Sequence, residues 1–391
     1  MGRHLLPARP REGPHPLRDH TTWIPTAFPW ETETMNRFVQ LHLLTSYPPA
    51  NLNRDDLGRP KTARMGGAER LRISSQSLKR AWRQSEVFKS ALDGHLGVRT
   101  KRMGEEVCQK LCKAGVKKKQ AREWARSIAG RFGKLKKAKD DGSQEGLHIE
   151  QLAHFSPDEQ DAIATLVSTL VERGAAPTEH DLDLLRHENR AADIALFGRM
   201  LTKSTDGKPL TQYCSDAAAQ VAHAITVHGV TVEDDFYTAV DDLNRGEEDV
   251  GAGHMGETEF AAGLFYLYLC IDRELLAENL DGDADLAKKT LAALIEAAAT
   301  VAPTGKQASF ASRARASYLL CEKGDQQPRS LSVAFLKPVM GDDLLAQAVS
   351  RLNEAVSNMD QVYGACADQR CSLNAEIGEG SLADVIRCAQ E

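Results

Sequence analysis

The 391-residue chain has no excess of positive charge: 49 Lys and Arg stand against 55 Asp and Glu, a formal net charge of −6. That excludes a protein basic over its whole surface, so any contact with a polyanion has to be local. Its eight cysteines include no CxxC pair, and neither a structural zinc site nor a disulfide scaffold is expected. Cys108 and Cys112 share a helical face, but two ligands do not make a metal site. No apolar run reaches membrane-spanning length, and the N-terminus lacks the continuous apolar core of a secretory signal, which predicts a cytoplasmic protein. The pair Gly305-Lys306 lacks the preceding glycine of a phosphate loop, and nucleotide hydrolysis is rejected on that ground. No repeat of solenoid period is present. Apolar residues make up 42% of the chain, enough for a sizeable core, and the length predicts one larger body with an insertion, or two domains.

Positive charge is concentrated where the chain turns. In Met65–Arg83 a glycine pair is followed by a short strand, a hydroxyl cap at Ser74 or Ser75, and a helix. Gln76, Lys79, Arg80 and Arg83 fall at i, i+3, i+4 and i+7 on one face, with Leu78, Ala81 and Trp82 roughly opposite. The apolar side can dock on a sheet while the basic side and the positive helix N-terminus meet an anion, for which a phosphate backbone is the natural ligand. The ordinary alternative is a solvated cationic face. Upstream, Arg54 can meet phosphate with Asp55 and Asp56 orienting it, and Lys61 extends the basic loop. A second basic region runs from Lys101 to Lys139 with few acids interleaved, either a contact surface or a solvated charge run.

Residues 1–34, rich in Pro, Arg and His, read as a disordered extension, with Met35 a plausible alternative start. Phe38–Ser46 alternates as a half-exposed strand, ended by Pro48 and Pro49. Helical periodicity marks Gly104–Lys113, Gln120–Arg131 and Pro157–Arg173, read together as a helical insertion. Strand-like sequence returns at Asp193–Met200, Ala222–His228 and Glu259–Ile271. Between the last two lies an acidic segment carrying the aromatic pair Phe236-Tyr237. Ala284–Thr300 is a high-propensity helix, Ser317–Glu322 a strand and Gly341–Asn358 a helix. The order predicts an α+β protein with helices on one face of a sheet, compatible with a ferredoxin-like or RNA-recognition-type core.

Several of these segments carry a resemblance. LNRDD (Leu52–Asp56), the double glycine with RLRISSQSLKRAWR (Gly66–Arg83), DIALFGRM (Asp193–Met200), AHAITVH (Ala222–His228), FYTAVDDL (Phe236–Leu243) and GETEFAAGLFY (Gly256–Tyr266) are its motifs. Together they resemble the guide-RNA-binding backbone subunit of the type I-E CRISPR surveillance complex, Cascade, a CasC-type member of the RAMP superfamily. The likeness runs from about Met35 to the C-terminal region and is strong through Phe265. It weakens in the helical insertion and after Pro303, and residues 1–34 have no counterpart. Where the family has tryptophan-phenylalanine, this chain has Phe236-Tyr237.

The resemblance implies a modified RNA-recognition-motif (ferredoxin-like) palm over 35–93, 191–228 and 259–391, with helical fingers inserted over 94–190 and a thumb-like hairpin over 229–258. It implies that Arg54, Lys61, Ser74, Gln76, Lys79, Arg80 and Arg83 hold the guide backbone, and that Phe236, Tyr237 and Thr238 act at the thumb where a nucleotide is displaced. The implied partners are CRISPR guide RNA, target DNA through guide pairing, further copies of the chain, and the large, small, 5′-handle and guide-processing subunits of Cascade. Neither cofactor nor metal is implied, and the role is non-catalytic. The lysine-rich fingers would meet target DNA. The rival reading is an endoribonuclease of the same superfamily that processes the guide precursor, with His42, His223 and His228 as acid or base.

Overall fold

Alternation of apolar residues builds the first strand, β1 (Phe38–Ala50), with Val39, Leu41 and Leu43 wholly buried on one side. The structure is a computed structural model that describes residues 36–137, 143–187, 190–239 and 254–391, so the N-terminal extension lies outside the described residues. The expectation of a half-exposed strand is corrected, because Gln40 and His42 on the other side are 2% and 0% exposed. Pro48 and Pro49 also do not end β1; they occupy an irregularity in its pairing between Tyr47 and Ala50, where a ladder hydrogen bond is missing anyway.

β2 (Thr62–Met65) and β3 (Ala68–Ile73) form a hairpin around Gly66 and Gly67, whose φ of 60° and 79° are those of a two-residue turn that needs glycine twice. A Cβ on Gly66 would lie 1.6 Å from the Leu336 carbonyl oxygen, so the turn is also pressed against that backbone. Helices α1 (Ser75–Gln84) and α2 (Glu86–Ala91) follow.

β4 (Val98–Thr100), α3 (Met103–Lys113), α4 (Lys118–Phe132), β5 (Ala153–Phe155) and α5 (Pro157–Arg173) build a core of their own from residues such as Leu111, Trp124, Ile128, Phe155 and Leu170. α5 has the boundaries its sequence predicts. Ser156 and Glu159 form a reciprocal capping box, Pro157 opens the first turn, and Gly174 closes the helix in a left-handed conformation.

A correction falls at Asp193–Met200, read as a strand and found as α6 (Ala192–Phe197). Its first five residues are all buried, and a short run buried on every side carries no period to separate helix from strand. Next come β6 (Ala219–Val221), β7 (Ala224–Thr226), β8 (Glu233–Ala239), β9 (His254–Asp272), α7 (Arg273–Asn279), α8 (Ala284–Thr300) and α9 (Gln307–Phe310). The chain closes with β10 (Ala316–Gly324), α10 (Leu344–Tyr363), β11 (Gln369–Asn374) and α11 (Leu382–Gln390).

Among the described residues the main sheet is antiparallel, in the order β11-β10-β1-β9-β7-β3-β2, with β6 and β8 also paired to β9. Helices were expected on one face only; both faces are covered. One packs on α8 through Leu41, Leu43, Leu294 and Ile295, the other on α10 and the turn 332–335 through Leu44, Tyr266, Phe335 and Leu352. One disulfide, Cys371–Cys388, joins β11 to α11. No spacing motif marks that pair in the sequence, and a single bridge is not a scaffold.

Under α10 lies a polar chain. Leu331 N–H donates to the Tyr266 hydroxyl, which donates to His42 Nδ1 at 2.9 Å, and His42 Nε2–H donates to Glu322 at 3.1 Å. Arg329 and Arg370 complete the shell of Glu322. Burial pushes the His42 pKa down against the pull of Glu322. For Glu322 burial acts upward, but the hydrogen bonds from His42 and Arg329 outweigh it and hold the carboxyl well below its ordinary range. Both folded pKa values are depressed, so on acidification the unfolded chain takes up protons that the folded one refuses. The melting temperature is therefore expected to hold at neutral pH, fall as pH drops below about 6.5, and fall faster below about 4.5. Glu322→Gln makes the lower phase shallower without abolishing it, because the buried Asp193 carboxyl is held down as well. A melting temperature that rises on acidification contradicts this account.

Candidate nucleic-acid interface

Ser74 is the cap of α1, its Oγ accepting from the Ser77 N–H at 3.3 Å, and Asn53 Oδ1 takes the Ser74 N–H at 2.9 Å. Leu78, Ala81 and Trp82 are buried, as the amphipathic pattern requires, which leaves Gln76 and Arg80 exposed and Lys79 half-buried over the Phe197 ring. Burial lowers the Lys79 pKa. Arg83 departs from the expected stripe. Its guanidinium turns inward to Asp193 Oδ2 at 2.8 Å and to His154 Nε2 at 3.1 Å, and Asp193 is 1% exposed. Burial opposes ionisation of Asp193, but its hydrogen bond with His154 and the nearby charge of Arg83 hold the pKa below the usual carboxylate range. Arg83 thus ties α1 to the first turn of α6 and to β5.

The upstream loop is also rearranged. Asp55 does not orient Arg54; its carboxylate accepts from the Leu57 and Arg59 backbone N–H groups at 2.9 Å each and shapes the turn. Arg59 pairs with Glu259 at 3.0 Å, leaving Arg54 exposed and Lys61 half-exposed. Arg72, which sequence reasoning passed over, alternates with buried Leu71 and Ile73 and so points away from the core. Among the described residues none of Arg54, Lys61, Arg72, Lys79 and Arg80 has an ion-pair partner, whereas Arg37, Arg83, Arg131, Arg199, Arg329 and Arg370 all do. Below α1 a cleft of about 1360 Å³ opens between that helix, β4 and α6, lined by Gln76, Arg80, Lys89, Arg99, His154 and Met200. Met200 is 78% exposed at its edge, a polarizable apolar side chain suited to a flat ring.

On the inserted helices the basic region divides by residue type. Arg122 and Arg126 donate to the carbonyls of Ser143 and Gly146, and Arg131 pairs with Glu179, so these arginines serve the local fold. Lys110, Lys113, Lys117, Lys118 and Lys119 are exposed.

The three histidines of the rival reading stand in different places. His42 is wholly buried with both nitrogens engaged. His228 accepts from Leu264 N–H through Nε2 at 3.1 Å and donates to the Gly229 carbonyl through Nδ1 at 2.8 Å. His223 is exposed, its Nδ1 accepting from the Ser75 N–H at 2.9 Å. The geometry does not bring the three to one point where a phosphodiester could meet an acid and a base.

β8 pairs with the start of β9 as a two-stranded ribbon, Phe236 opposite Glu257 and Tyr237 opposite Gly256. Glu233 to Thr238 are all exposed, Phe236 to 66%. Successive strand residues point to opposite faces, so Phe236 and Tyr237 do not form one aromatic surface. Thr238 shares the face of Phe236. Asp241 and Asp242, farther along the acidic segment, lie outside the described residues.

A chain of a solved structure described as a CRISPR RNA-guided surveillance complex, pre-nicking, is 32% identical, with a TM-score of 0.77 over 90% of this chain and 99% of that one. A chain of a second CRISPR RNA-guided surveillance complex is 26% identical, with a TM-score of 0.68 over the same shares. No curated protein matches. A family profile described as CT1975-like protein matches residues 39–386, through β1, the capped basic helix, the ribbon and α11 alike, and the chain belongs to that family.

Proposed function

We propose that this protein is the guide-RNA-binding backbone subunit of a type I-E Cascade complex, a non-catalytic RAMP-superfamily protein whose copies line up along the guide. Kinship with chains of CRISPR RNA-guided surveillance complexes supports the general assignment. The observation that carries the RNA role is the set of cations without an ion-pair partner among the described residues, Arg54, Lys61, Arg72, Lys79 and Arg80, gathered around α1 in an acidic chain. A protein that accepts any guide has to hold phosphates and sugars and leave base edges free for target DNA, and these side chains do that without reading sequence. In this reading the sheet is an RNA-recognition-type palm, the inserted helices are fingers whose exposed lysines meet target DNA, and the β8–β9 ribbon is a thumb. The remaining Cascade subunits cap the assembly, and the site of action is the cytoplasm.

The test is salt-dependent binding of unrelated single-stranded RNAs. Each lost phosphate contact reduces the slope of log K against log salt by about 0.7, so Lys79→Ala with Arg80→Ala flattens it by about 1.4 and weakens binding about tenfold near physiological salt. The loss is the same for every guide sequence. An unchanged slope in a folded double variant overturns the role of this face, and a discrete cut in repeat RNA that disappears in His223→Ala favours the endoribonuclease.

A further inference from the structure

We propose that His223 is a neutral hydrogen-bond donor to the guide-RNA backbone, giving its Nε2–H to a phosphate oxygen held beside Lys61 and Arg72; this rests on the guide-binding reading above. The pairing of β3 with β7 sets Ile73 opposite Ala224, which brings the next residue, His223, against the start of α1. There its Nδ1 accepts the Ser75 N–H at 2.9 Å. A ring nitrogen that accepts an N–H carries no proton, so in the neutral ring the proton sits on Nε2. Nε2 has no partner among the described residues, and the side chain is exposed. His42 and His228, by contrast, spend both nitrogens inside the protein.

The surroundings select the ligand. Arg72 pairs with Ile225, two residues along from His223, and its N–H donates to the Lys61 carbonyl at 2.8 Å, which sets both residues beside the ring; burial first, and then their charges, depress the His223 pKa and keep the ring neutral. Neither cation has an ion-pair partner among the described residues, and the first turn of α1 carries no acidic residue. Two uncompensated cations beside a fixed neutral donor suit a single phosphodiester, whose charge relieves their mutual repulsion and whose second oxygen takes the N–H. The donor is preorganised, because the tautomer and ring orientation are set by a backbone amide before RNA arrives.

The ordinary alternative is that His223 only caps α1, and asparagine separates the two roles. In His223→Asn the Oδ1 can still accept the Ser75 N–H, while nothing reaches the position of Nε2. His223→Asn is expected to keep the wild-type melting temperature and to bind arbitrary single-stranded RNA about tenfold more weakly, in keeping with one lost hydrogen bond to a charged group. Its salt slope stays that of wild type, since a neutral donor displaces no counter-ion, whereas Lys61→Ala lowers the slope by about 0.7. In the unmodified protein, nitrogen NMR of labelled histidine is expected to show the Nε2–H tautomer for His223, with that proton shifting when RNA is added; this measurement needs no variant to fold. A wild-type affinity in His223→Asn, or an Nδ1–H tautomer, overturns the proposal. If Lys79→Ala with Arg80→Ala weakens binding while His223→Asn does not, His223 alone falls. If neither variant weakens it, the guide-binding reading falls and His223 with it.

Discussion

Arg83→Ala is expected to destabilise the isolated protein by about 3–5 kcal/mol, while Arg80→Ala, on the same stripe, changes stability by less than about 0.5 kcal/mol. The two arginines are three positions apart and differ in what they face. Arg80 is exposed and without an ion-pair partner among the described residues, so its removal strands nothing. Arg83 sits with Asp193, whose side chain is 1% exposed, and truncation leaves a buried carboxylate with only the Gly97 N–H and His154 to hold it. Urea unfolding of the two variants beside wild type measures the difference. Arg83→Lys restores the charge but not the fork: an ammonium can reach Asp193 but cannot repeat the two guanidinium contacts to its Oδ2, at 2.9 and 2.8 Å, so part of the stability returns. If Arg83 acts by holding α1 in place, the RNA salt slope of Arg83→Ala, measured where the variant is folded, equals that of wild type, whereas a lost phosphate contact lowers it by about 0.7. Equal stability losses in Arg80→Ala and Arg83→Ala contradict the division.

That division marks how far the sequence could be read. The cap at Ser74, the apolar face of Leu78, Ala81 and Trp82, and the limits of α5 are decided by neighbours within a few positions, and local pattern sufficed for each. Which arginine turns inward is decided by Asp193, 110 residues from Arg83, in a short segment buried on every side whose pattern does not separate helix from strand. The same holds for β1. Its alternation was legible, but whether Gln40 and His42 meet water depends on α10, about 300 residues later, covering that face. Arg72 carries a legible signal in its alternation with the buried Leu71 and Ile73, though the helical stripe beside it is the stronger pattern. The contact of His223 with the Ser75 N–H carried none, since it follows from the register of β3 on β7. Long-range pairing, not local propensity, sets where the side chains of the candidate interface point.

Removing the Phe236 ring is expected to weaken guide–target pairing in the assembled complex by about 1–3 kcal/mol per displaced base while leaving the thermal midpoint of the isolated protein unchanged. Phe236 is 66% exposed on a ribbon whose neighbours Glu233, Asp234 and Asp235 are exposed as well, so the ring contributes little to the core. Folding it back onto its own body would drag those carboxylates out of water, an arrangement that costs more than one ring returns. A ring held out in solvent is free to wedge or stack when the guide arrives. Tyr237 is a different residue despite its adjacency. It points to the opposite face and lies over Gly256, where an added Cβ would come within 2.5 Å of the ring. Tyr237→Ala and Gly256→Ala should therefore disturb the ribbon itself, and the two single aromatic variants should not be interchangeable. Nuclease footprinting of the guide reads the difference. Phe236→Ala is expected to blur the periodic pattern of exposed nucleotides with the ribbon intact, and Tyr237→Ala to loosen the ribbon as seen by limited proteolysis. If Phe236→Ala instead unfolds the isolated protein while the surviving complex keeps a sharp periodic footprint, the ring belongs to the core and the thumb reading of β8 is wrong.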